Sequence, residues 1–96
     1  MEKVLKKLEV SSGRLNIPNN LLKFVGIKPN EKVAICKSEG CVKVKTLDSL
    51  KDCEVIAITK MDSKGRFVYP KYLLGKEKEL LFEIYVLNGN LTLREL

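Results

Sequence analysis

Apolar and polar positions follow one order along this chain and then repeat it. Val4 to Val10 is rich in aliphatic and β-branched residues, as is Val55 to Met61, and both predict strands. Ser11-Ser12-Gly13 and Ser63-Lys64-Gly65 follow as turns, with Gly free to adopt positive φ. Short extended runs come next, Leu15 to Ile17 and Phe67 to Tyr69. Pro18 and Pro70 suit the first position of a helix, where a missing N–H costs nothing. Asn19 to Val25 predicts a helix of about two turns, stopped by Gly26 with Pro29 beyond. The second helix, Lys71 to Leu74, is barely a turn before Gly75. A hairpin closes each copy. Val33 and Ile35 alternate with Ala34 and Cys36, the chain turns at Ser38-Glu39-Gly40, and Val42 and Val44 alternate with lysines. Phe82, Ile84 and Val86 alternate with Glu83 and Tyr85, and Asn88-Gly89 is a strong type I′ signal before Leu91 and Leu93.

The order is carried by matching letters. "GRLNIPNNLL" begins at Gly13 and "GRFVYPKYLL" at Gly65, 52 positions later. After the helix the second copy is three residues shorter, and Ile35, Gly40, Val42 and Val44 match Ile84, Gly89, Leu91 and Leu93 at a spacing of 49. The first copy is 1–46, a polar linker is 47–52, and the second copy is 53–96. The linker region from Thr46 is read as one helical turn at most. Each copy reads β, turn, short β, short helix, β-hairpin. The chain has 96 residues. Units below roughly 40–50 residues rarely fold alone, so the copies are expected to share one core. Leu21, Leu22, Leu73, Leu74, Phe82 and Ile84 belong in it, with Tyr69 and Tyr72 half-buried.

Charge sharpens the picture. The net charge is +6, and the excess follows the repeated motif. Lys3, Lys6, Lys7, Arg14, Lys23 and Lys28 stand against Glu9, and Lys60, Lys64, Arg66, Lys71 and Lys76 against Asp62. Clustered positive charge attracts polyanions, nucleic acid first. Cys36, Cys41 and Cys53, with no His in the chain, do not make a closed zinc set. They are read as small half-buried thiols, a Cys36–Cys41 cross-strand disulfide being the alternative. No nucleophile–base pair, phosphate loop or metal set is visible, so neither an enzyme nor a cofactor is expected. The N-terminus has no apolar signal region, and no apolar run approaches the ~20 residues of a membrane helix, so a cytoplasmic protein is expected.

"MDSKGRFVYPKYLLGKEKELLFEIYVLNGNLTLREL" and "SSGRLNIPNNLLKFVGIKPNEKVAI" together resemble the AbrB/MazE/SpoVT superfamily. The marks are Gly-Arg after a turn, an extended run ending in Pro, then Leu, Gly and a hairpin. The first copy departs in having Glu9-Val10 where the second has Met61-Asp62. The resemblance implies a mostly β fold with short helices, a swapped-hairpin β-barrel. Its two β-β-α-β-β units, normally from two chains, would here form an intrachain pseudo-dimer. It implies a transcriptional regulator that grips duplex DNA, with further homo-oligomers of the chain as an added expectation. By position the DNA-contacting role falls on Arg14 and Arg66, on Lys7 (matched by Thr59) and on Lys23 (matched by Gly75). Lys60, Lys64 and Lys71 are candidate phosphate contacts. A guanidinium held just after a glycine turn offers a rigid fork to phosphate or to a guanine edge. The competing reading of Arg14 or Arg66 is a tie to a nearby acid such as Asp62 that holds the loop down, and the competing function is a protein-interaction module. An antitoxin is the less expected form, since no tail follows the last strand.

Overall fold

The computed structural model describes residues 3–9, 12–70, 73 and 79–96. Among them are β1 (Val4–Glu9), β2 (Arg14–Asn16), α1 (Asn19–Val25), β3 (Lys32–Ser38), β4 (Cys41–Thr46), β5 (Glu54–Lys60), β6 (Arg66–Val68), β7 (Glu79–Leu87) and β8 (Asn90–Glu95). The expected helix after Pro70, with Lys71, Tyr72, Leu74 and Gly75, lies outside the described residues apart from Leu73. The Leu73 N–H donates to the Pro70 carbonyl at 3.1 Å. No helix among the described residues is long and apolar enough to cross a membrane.

Local chemistry sets the element ends. Pro18 caps α1 rather than opening it: its ψ is 135°, and its carbonyl accepts the N–H groups of Leu21 and Leu22. The helix stops at Gly26, which takes φ 78°. There the Ile27 N–H reaches back to the Leu22 carbonyl at 3.0 Å, satisfying a carbonyl the helix leaves open. Asn88 and Gly89 both have positive φ, as a type I′ turn between β7 and β8 requires. Two successive turns, Ser49 N–H to Thr46 and Cys53 N–H to Leu50, replace the single helical turn expected in the linker.

Six strands form one antiparallel sheet in the order β1-β7-β8-β4-β3-β5. The first strand of each copy therefore pairs with the hairpin of the other: β1 with β7, β5 with β3. β4 and β8 join the two hairpins at the centre, where Lys43 faces Thr92. β2 and β6 form a separate two-stranded ribbon in which Leu15 faces Phe67. Lys43 and Thr92 are matching positions of the two copies, 49 apart, and Leu15 and Phe67 match at 52. Both pairings centre on them, so the strand pairing has an internal twofold pattern. The loop bonds share it: the Ile17 N–H donates to the Gly65 carbonyl, and the Tyr69 N–H to Gly13.

The expected barrel does not close. β1 and β5 are the two edges of the sheet, with no ladder between them. The short strands that follow them leave the sheet for their own ribbon, β2 touching β1 and β6 touching β5. The ribbon thus lies across the open side. Leu15 and Phe67 bury beneath it among Leu8, Val33, Ile35, Val44, Met61, Phe82, Ile84, Leu91 and Leu93. Tyr69 is buried rather than half-buried and tilts against Phe82 at a ring separation of 5.0 Å. Leu73 packs at the margin of this cluster.

The outer face departs from simple alternation. Ala34, Cys36 and Thr92 are buried there, and so is Glu83. Glu83 is held by Lys3 at 2.7 Å and Arg94 at 3.2 Å, and Lys3 also lies over the Tyr85 ring. The Lys3 contact, with the charge of Arg94, keeps the Glu83 carboxyl below its ordinary value despite its burial. The expected thiols are corrected too. Cys36 is bonded to Cys53, with Cα atoms 5.7 Å apart, and Cys41 is the free one. The Cys36–Cys41 pairing fails because Ser38, not Cys36, faces Cys41 across the hairpin.

Candidate nucleic-acid interface

The ribbon carries the two Gly-Arg loops. Side chains in β2 and β6 alternate, so Leu15 and Phe67 point inward while Arg14, Asn16, Arg66 and Val68 stand on the other face. Arg14 faces Val68 across the ribbon, and Asn16 faces Arg66. The two guanidiniums therefore sit diagonally about the Leu15–Phe67 pair. Gly13 and Gly65, at φ 67° and 79°, make the turns that present them.

The two loops are built differently. In the second, one Asp62 oxygen accepts the N–H groups of Lys64 and Arg66, each at 2.8 Å. The other accepts Nε of Arg66 at 2.9 Å. The Arg66 N–H, helped by its guanidinium and the Lys64 N–H, holds the Asp62 carboxyl below its ordinary value against partial desolvation. In the first loop Glu9 and Val10 precede the turn, and among the described residues the Arg14 N–H makes a long 3.4 Å contact to the Ser12 hydroxyl. The Arg14 side chain is exposed, with no ion pair among the described residues.

Arg14, Lys60 and Arg66 border one shallow depression of about 130 Å³ with Asp62, Phe67 and Val68. Lys7 holds the position equivalent to Lys60 in the strand pairing, and the register shows why. Lys7 faces Leu81, while Lys60 faces Lys32, and Lys32 matches Leu81 at the spacing of 49. Lys60, not Thr59, is therefore the geometric mate of Lys7. The cause is a one-residue step in the β3·β5 ladder between the Ile35–Ala57 and Cys36–Val55 pairs. Letter-by-letter matching misses it.

The remaining candidates scatter. Lys23 is exposed in the last turn of α1, and Lys64 is exposed at the tip of the second loop. Neither lines the depression. Lys71 lies outside the described residues. Asn16, which sequence reasoning missed, is exposed on the ribbon, and its Nδ2 reaches the Lys64 carbonyl at 3.5 Å. Its signal was its place two residues after Arg14, on the same strand face.

A larger cavity lies elsewhere, about 370 Å³ between Tyr69, Leu73, Cys41, Val42 and Leu93. The matching space of the first copy holds about 50 Å³ and is lined by Val25 and Ile27. No family model, curated protein or solved structure matches this chain.

Proposed function

We propose that the chain binds duplex DNA as a transcriptional regulator of the AbrB type, through the outer face of the β2·β6 ribbon. The supporting observation is that Lys7, Arg14, Lys60 and Arg66 follow the internal twofold pattern of the strand pairing. Duplex DNA has local twofold symmetry in its backbone, so paired cations about one axis suit two phosphate runs at once. A two-stranded ribbon also fits the major groove, where the exposed Asn16 offers an amide to base edges. The exchange of first strands between copies supports the swapped-hairpin reading, in which one chain does the work of an intertwined dimer. Lys7 and Lys60 supply affinity, and the two guanidiniums supply register.

One observation favours a second reading. Val68 takes the place of Asn16 in the second copy and is exposed, while Arg66 is partly neutralised by Asp62. A ribbon half polar and half apolar suits a protein partner. Backbone amide NMR with a short duplex separates the two. The DNA reading predicts that Gly13 to Asn16 and Lys60 to Val68 shift most. An unchanged spectrum at low salt would reject it and leave the protein-interaction module.

A further inference from the structure

Among the described residues the sheet leaves two strands unpartnered on one side, and they differ in what they offer. An edge strand presents a row of backbone donors and acceptors that can template another strand, and lysines are a common guard against it. β1 is guarded. Laid antiparallel on itself about Leu5, Lys6 or Lys7, it sets Lys3 against Lys7, Lys6 against Lys6 or Lys7 against Lys7. β5, with the sequence Glu-Val-Ile-Ala-Ile-Thr-Lys, has no such conflict. Among the described elements it touches only β3 and β6. Two of its apolar side chains are left in solvent, Ile58 at 60% and Val55 at 39% exposure.

We propose that β5 is the contact through which two copies of this chain pair, antiparallel and about a twofold axis, into one continuous sheet. The ladder step fixes the register. Val55 faces Cys36 and Ile58 faces Ala34, so both lie on the outer face, while Ile56 and Ala57 both pack toward the core. The antiparallel register that keeps faces aligned sets Val55 against Ile58 of the second copy, twice, and Ile56 against Ala57. It also brings the acidic end of one strand, Asp52 and Glu54, toward Lys60 of the other. A parallel approach would bring like ends together. The charge order along β5 therefore selects the antiparallel dimer, and the lysines of β1 exclude that edge as its site.

Sedimentation equilibrium of the chain without DNA, over a wide concentration range, tests this. The expected species is twice the 10.9 kDa chain mass. Ile58→Lys, shown folded by circular dichroism, should raise the dissociation constant at least about tenfold, since two apolar cross-strand pairs are lost. Leu5→Lys on the other edge should leave it unchanged. Val55→Lys, whose partner in this register is Ile58, should weaken the dimer in the same way. A monomer at all concentrations, a dimer untouched by Ile58→Lys, or assembly beyond the dimer would overturn the proposal. So would a dimer untouched by Val55→Lys.

Discussion

Two glycines in matching loops carry unequal burdens. A Cβ on Gly65 would lie 2.9 Å from the Ile17 carbonyl oxygen and 3.1 Å from a Leu22 methyl, at φ 79°. A Cβ on Gly13 would meet nothing nearer than 3.8 Å. Gly13→Ala then costs the left-handed backbone strain, about 1–2 kcal/mol. Gly65→Ala adds a backbone clash and should cost roughly 1 kcal/mol more or beyond. Urea unfolding of the two variants checks the order. Asp62 sets a second residue-scale expectation. Its folded carboxyl is held below the unfolded value, so the stability it lends is complete above that value, about pH 4, and is lost as pH falls through the lowered one. Glu83 acts in the same direction. The urea midpoint should fall on acidification from pH 5 toward 2, and Asp62→Asn should flatten part of that fall. An unchanged pH profile in the variant would remove Asp62 from the account.

At the scale of elements, the Cys36–Cys53 bond ties the edge pair β3·β5 to the junction between the copies. It closes a sequence separation of 17 residues. In the chain-entropy picture such a loop stabilises by about 3 kcal/mol. Reduction with dithiothreitol should lower the melting temperature by several degrees, and Cys41→Ser should not. Equal melting with and without reductant would mean the bond adds nothing. The elements themselves were legible. The helix Asn19–Val25, the Asn88-Gly89 turn and the two hairpins follow from glycine, proline and alternation, which are local signals. Four features were not. The Cys36–Cys53 pairing depends on β5 lying beside β3, a contact between copies. The ladder step that puts Lys60 in the place of Lys7 has no letter of its own. The open sheet, where a barrel was expected, depends on whether β1 and β5 meet, and strand patterning is silent on that. Burial of Glu83 was hidden for the same reason: its two cations come from β8 and the residue before β1.

For the molecule as a whole, the proposed DNA face is symmetric in position and unequal in charge. Arg66 must release or share Asp62 to meet a phosphate, while Arg14 is exposed without an ion pair among the described residues. Arg14→Ala should therefore weaken duplex binding more than Arg66→Ala. Asp62→Asn should strengthen it, because the loop gains a unit of positive charge. Fluorescence anisotropy at fixed salt ranks the three. The reverse order would mean that Asp62 positions Arg66 for contact rather than occupying it. The same face makes a prediction about slope. Four phosphate contacts from Lys7, Arg14, Lys60 and Arg66 correspond to a log–log salt slope of about −3.6. The most direct measurement is a salt titration of duplex affinity for the wild type beside a folded Arg14→Ala/Arg66→Ala variant. The account predicts a steep slope in the first and one shallower by about two in the second. Absence of duplex binding at low salt, or a double variant that binds like the wild type, would contradict it.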